Sequence, residues 1–98
     1  KMISSCISFA VMVDGHQVTT IEGLAIGDEL LAIQEAFSEQ GGFQCGACTP
    51  GQVIAAHALL ESTPNPTENE IKDWMMSNLC RCTGYYGIIE SIKAAAKK

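Results

Sequence analysis

Two cysteine pairs carry the chemistry open to this chain: Gln44-Cys45-Gly46-Ala47-Cys48-Thr49-Pro50-Gly51 and Asn78-Leu79-Cys80-Arg81-Cys82-Thr83-Gly84. Each pair falls at a break in a helical pattern and runs on into residues that start a new helix. Two kinds of centre take four soft thiolates, tetrahedral zinc and iron–sulfur clusters. An oxidised 2Fe-2S cluster with its thiolates stays anionic and gains a further electron on reduction, so it needs N–H donors and positive potential around it. Helix N-termini supply both, and Gly46, Gly51 and Gly84 would let backbone amides come close to sulfur. C-x2-C joined with C-x-C is also a less common pattern for structural zinc. Spacing and setting favour iron–sulfur, with a zinc-stapled helical interaction module, a disulfide and plain reduced thiols as the alternatives.

Other reactive side chains have simpler explanations. No Ser/His/Asp or Cys/His nucleophile set and no Gly-rich phosphate loop is present, so no catalytic residue is assigned. His57 lies on an apolar stretch and reads as a packed or half-exposed histidine, and His16 beside a turn reads as solvated. Glu68 and Glu70 suit the first turn of a helix. Arg81, between two candidate ligands, reads either as a tuning charge or as a surface charge. Trp74, Met75 and Met76 read as core or interface filler.

The elements that position the thiols follow from pattern. Val11-Met12-Val13 and Gln17-Val18-Thr19-Thr20-Ile21, broken by Asp14-Gly15, predict a short β-hairpin that belongs to something larger. Ile26, Leu30, Ile33 and Phe37 then recur at helical spacing, with Asp28 and Glu29 in a first turn and Gly41-Gly42 as the stop. Thr49-Pro50 opens a second helix that is apolar nearly all round, and Ser62-Thr63-Pro64-Asn65-Pro66 is a loop. Thr67-Glu68-Asn69-Glu70 has the form of a capping box for a third helix, whose Ile71, Trp74, Met75, Asn78 and Leu79 share a face; Glu68 can pair with Lys72. Thr83-Gly84 is expected to start a fourth helix, with Lys97-Lys98 at the negative end of its dipole. The interval from Cys48 to Cys80 holds one helical hairpin, so the bundle itself closes the site.

Composition sets the outer limits. Ninety-eight residues with 47% hydrophobic and 17% charged side chains describe one small folded domain, or a small domain with part of another. A net charge of −5 without a basic stripe argues against nucleic acid. No stretch approaches the roughly 18 apolar residues of a membrane span, and no signal peptide is recognisable at Lys1-Met2. Five cysteines are an odd count that does not suit a closed disulfide framework; the pattern fits a reducing compartment, hence the cytoplasm.

The two cysteine signatures, together with Thr19-Thr20-Ile21-Glu22-Gly23-Leu24 and Asn65-Pro66-Thr67, closely resemble the helical 2Fe-2S domain of the molybdenum hydroxylases. That family includes xanthine dehydrogenase, aldehyde oxidoreductase and aerobic carbon monoxide dehydrogenase. The resemblance implies a mainly α fold, a four-helix bundle over residues 24–98 in which Cys45, Cys48, Cys80 and Cys82 ligate one 2Fe-2S cluster. It implies that Gln44 and the Cys82 region touch the pterin of a molybdenum cofactor held by a large partner subunit. Electrons would pass from that molybdopterin through this cluster to a second one and on to FAD in a medium subunit. Residues 1–23 resemble the C-terminal remnant of a plant-type ferredoxin domain, with Cys6 as an orphan ligand whose three companions are absent. The resemblance implies a truncated electron-transfer subunit of an oxidoreductase, its ferredoxin part lost or present as a separate chain. Within this chain Cys6 is expected to be an ordinary buried thiol.

Overall fold

A computed structural model describes residues 1–98. Four helices form the frame: α1 Ala32–Glu39, α2 Thr49–Ser62, α3 Glu68–Met75 and α4 Tyr86–Ala96. The first 23 residues hold only three short 3-10 turns, at Ser5–Ile7, Ala10–Val13 and Ile21–Gly23.

Each helix has a local cause. The Leu31 amide, free at the start of α1, donates to the Gln34 Oε1 at 2.9 Å. Pro50 sits in the first turn of α2, where its missing N–H is no loss, and Pro64 follows the end of that helix. Thr67 caps α3 by accepting the Glu70 amide at 3.3 Å, as the capping-box sequence predicts.

Packing then holds the frame. α1 lies along α4, while α2 and α3 form the hairpin that returns the chain to its starting end. Ile33, Ala36 and Phe37 of α1, Val53, Ala55, Ala56 and Leu59 of α2, Ile71 and Met75 of α3, and Ile88, Ile92 and Ala95 of α4 make one core with Leu24. Burying an Ile contributes about 1.5–3 kcal/mol, against about 0–1 kcal/mol for an exposed ion pair. Core contacts therefore outweigh the surface pairs of Lys98 with Glu35 and Glu39 at 3.6 and 3.2 Å. Gly87 permits the close approach at one end of α4, because a Cβ there would lie 2.8 Å from the Gly41 carbonyl oxygen.

Several sequence expectations change. The hairpin over 11–21 is not formed; Ala10–Val13 is a 3-10 turn closed by Asp14 N–H to Val11 O at 3.3 Å, and the chain contains no strand. β-branched residues favour strands only where a neighbouring strand takes their N–H and C=O groups, and none lies alongside. α1 starts at Ala32, because Ile26 and Glu29 exchange backbone hydrogen bonds in a tight turn instead of entering a helix. α3 stops at Met75, leaving Leu79 exposed. α4 starts at Tyr86, since Gly84 and Tyr85 take left-handed backbone angles of φ 63° and 72°. Cys6 is exposed in the first turn, in place of the buried position expected.

Candidate iron–sulfur site

The two cysteine loops meet at one end of the α2–α3 hairpin. Cys48 is the residue before α2, and the Gln52 amide one turn on donates to its carbonyl at 3.0 Å. The Gln52 side chain is almost fully buried, and its Nε2 donates to the Asn78 carbonyl at 3.0 Å. That bond ties the approach to Cys80 directly to the first turn of α2. About one turn further along the hairpin the Trp74 Nε1–H donates to the Ala55 carbonyl at 2.8 Å, which fixes the register of α3 on α2.

Thiols from the two loops then come within interaction range of each other, Cys45 with Cys82 and Cys48 with Cys80. Cys48 and Cys80 form the inner, half-buried pair, while Cys45 and Cys82 are exposed. All five cysteines are free thiols. No three His, Cys, Asp or Glu side chains converge on one point suited to a single ion.

Identical thiols thereby acquire different proton affinities. The Thr83 hydroxyl, followed by the Thr83 and Cys82 amides, holds the Cys80 thiol down at about 7. Burial, then the neighbouring Cys80, pushes Cys48 up. The Ala47 amide and then Cys82 pull Cys45 down, and the Cys45 sulfur in turn pushes Cys82 up. Gly46, at φ 84°, takes the left-handed turn that lets the Ala47 amide face the Cys45 sulfur.

Only the first pair opens directly on a helix. α4 begins four residues past Cys82, so the second pair draws its donors from a loop, a correction to the two-mouth expectation. That loop is clasped by Tyr85. Its phenol oxygen accepts the Cys80 amide at 3.0 Å, and its own amide donates to the Thr83 Oγ1 at 3.1 Å. A left-handed tyrosine costs about 1–2 kcal/mol, which two hydrogen bonds at about 1 kcal/mol each offset.

Known proteins match the sequence and the fold. The family model of the 2Fe-2S binding domain matches residues 20–93. The chain belongs to that family. This 2Fe-2S binding domain is 52% identical over 91 residues to a probable xanthine dehydrogenase subunit of Bacillus subtilis, covering 93% of this chain and 52% of that protein. It is 40% identical to the nicotinate dehydrogenase small FeS subunit of Eubacterium barkeri, covering 98% of this chain and 61% of the subunit. The quinoline 2-oxidoreductase of Pseudomonas putida 86 superposes with a TM-score of 0.91 at 40% identity, over 97% of this chain and 60% of its own. The chain thus spans little more than half the length of these relatives.

The donor set fits such a cluster. Two thiol pairs suit two irons with two thiolates each, and the three donors on Cys80 suit an anionic centre. Gln44 is exposed beside Cys45, Arg81 is exposed between Cys80 and Cys82, and Cys6 lies outside the paired set. His57 is half-buried and 3.4 Å from Glu61 one turn on. Sequence reasoning missed Gln52, whose signal was an amide in an otherwise apolar helix, four residues after a cysteine. It also took Thr83 for a helix start, when it is a donor to sulfur.

Proposed function

We propose that this 2Fe-2S binding domain is the electron-transfer part of a molybdenum-containing hydroxylase or dehydrogenase. In it Cys45, Cys48, Cys80 and Cys82 ligate one 2Fe-2S cluster. The observation that carries this is the pairing of four thiols from two loops, Cys45 with Cys82 and Cys48 with Cys80, in a chain of this family. The bound cluster supplies one-electron storage; the residues of the chain hold it, shield its inner side and donate hydrogen bonds to its sulfurs. Gln44 and the exposed Cys82 loop face the pterin of a molybdenum cofactor in a large partner subunit, and a second cluster and FAD take the electrons onward.

Residues 1–23 are proposed as the tail of a ferredoxin-like domain, with Cys6 belonging to its cluster, and 24–98 as the helical domain. The family match beginning at residue 20 supports that division, and the β-branched run at 11–21 pairs into strands only beside the rest of such a domain. No helix is long and apolar enough to cross a membrane. Five free thiols suit a reducing compartment such as the cytoplasm.

Anaerobic reconstitution with iron and sulfide tests the assignment. The chain should take up about two irons with acid-labile sulfide, absorb in the visible and give an EPR signal on reduction by dithionite. A colourless protein holding one zinc and no sulfide would overturn it.

A further inference from the structure

The Thr83 hydroxyl has a restricted choice of partners. Its oxygen accepts the Tyr85 amide at 3.1 Å and lies 3.1 Å from the Cys80 sulfur, with the Thr83 amide 3.5 Å from the same sulfur. A threonine hydroxyl has one proton and two acceptor lone pairs; one lone pair takes the Tyr85 amide, and the proton goes to the Cys80 sulfur, which as a ligating thiolate can only accept. Tyr85 makes the arrangement stiff, because its phenol oxygen holds the Cys80 amide at 3.0 Å while its backbone stays left-handed. Cys80, Thr83 and Tyr85 form a closed ring of hydrogen bonds around one ligand.

We propose that Thr83 is a potential-setting residue, whose hydroxyl favours the reduced state of the cluster by donating to the Cys80 sulfur. This rests on the ligand assignment above and goes beyond it. Reduction adds one negative charge, part of which resides on the ligand sulfurs, and a hydrogen bond to sulfur strengthens as that charge grows. Removing the donor therefore disfavours reduction and makes the midpoint potential more negative. Thr83→Val keeps the shape and deletes the hydroxyl; Thr83→Ser keeps the hydroxyl. Tyr85→Phe removes the clasp on the Cys80 amide and leaves the hydroxyl donor in place.

The four chains are reconstituted and titrated with dithionite, with EPR as the readout. Thr83→Val should lose about tenfold in the reduction equilibrium, a shift of about 59 mV for one electron, with iron content unchanged. Thr83→Ser should stay close to the wild type, and Tyr85→Phe, which loosens the ring but keeps the hydroxyl donor, should shift the potential by clearly less than Thr83→Val. Equal potentials in wild type and Thr83→Val overturn the proposal, as does a Tyr85→Phe shift as large as that of Thr83→Val, which would place the effect in the clasp. If Thr83→Val takes up no cluster, Thr83→Ala against Thr83→Ser decides by the same potentials. A wild-type chain that takes up no iron overturns the ligand assignment itself, an outcome distinct from loaded variants sharing one potential.

Discussion

Glu68 is one exposed side chain that contributes to the acid response of the bundle. Lys72 one turn on and Lys93 of α4 both pair with its carboxylate, the first at 2.9 Å, and they hold its pKa down at about 2. A carboxyl that ionises more easily in the folded state stabilises the fold above its unfolded value near 4.5, and that contribution disappears as the pH falls to about 2. Glu68→Gln should thus lower thermal stability at pH 7, with the gap to the wild type closing between these two values. Melting curves over that range check it, and a gap independent of pH would contradict it. Salt should shrink the gap too, since the pair is open to solvent. Lys93, raised first by Glu68 and then by Glu90, links α3 to α4 and complements the cap at Thr67.

Helix contacts decide how far the cysteine loops can move. The Gly41-Gly42 turn just past α1 lies so close to Gly87 of α4 that an added Cβ would strike the Gly41 backbone oxygen 2.8 Å away, with the Gly42 Cα at 3.5 Å behind it. Backbone cannot step aside as a flexible side chain can, so Gly87→Ala should destabilise the chain by about 1–3 kcal/mol, despite the better helix propensity of alanine. Denaturant unfolding measures this; a variant as stable as the wild type would show that the two elements can slide. The α2–α3 hairpin is held differently, by Trp74 to the Ala55 carbonyl and Gln52 to the Asn78 carbonyl. These two bonds lie about one turn apart along the contact and fix both register and loop position. The cysteine pairs are set by that hairpin and not by the helix ends alone.

At the scale of the whole molecule, thirteen buried apolar residues form a small core for ninety-eight residues. The first twenty residues add little to it, with Ile7, Phe9 and Val11 exposed. Joining Cys45–Cys48 to Cys80–Cys82 through a cluster would close a long loop, which by analogy with a disulfide contributes about 2–4 kcal/mol. For a chain of this size that corresponds to a rise in Tm on the order of 10 °C. Circular dichroism of the loaded and cluster-free chains should show it. Coincident melts would mean that the bundle is already complete without its centre.

The amino-acid sequence determined the thiol spacing and the helical frame, because both are local: Cys45–Cys48 and Cys80–Cys82, the Thr67 cap, Pro50, and apolar periodicity in α1 and α4. Its hairpin at 11–21 failed because strand formation depends on a neighbour that propensity does not supply. Only the tertiary structure decided which cysteine faces which, and that Thr83 and Tyr85 belong to the site. Those facts arise from the return of α3 along α2 and from a left-handed tyrosine, which short-range pattern does not encode. Tight side-chain packing converts a list of four thiols into two ordered pairs with unequal hydrogen bonding.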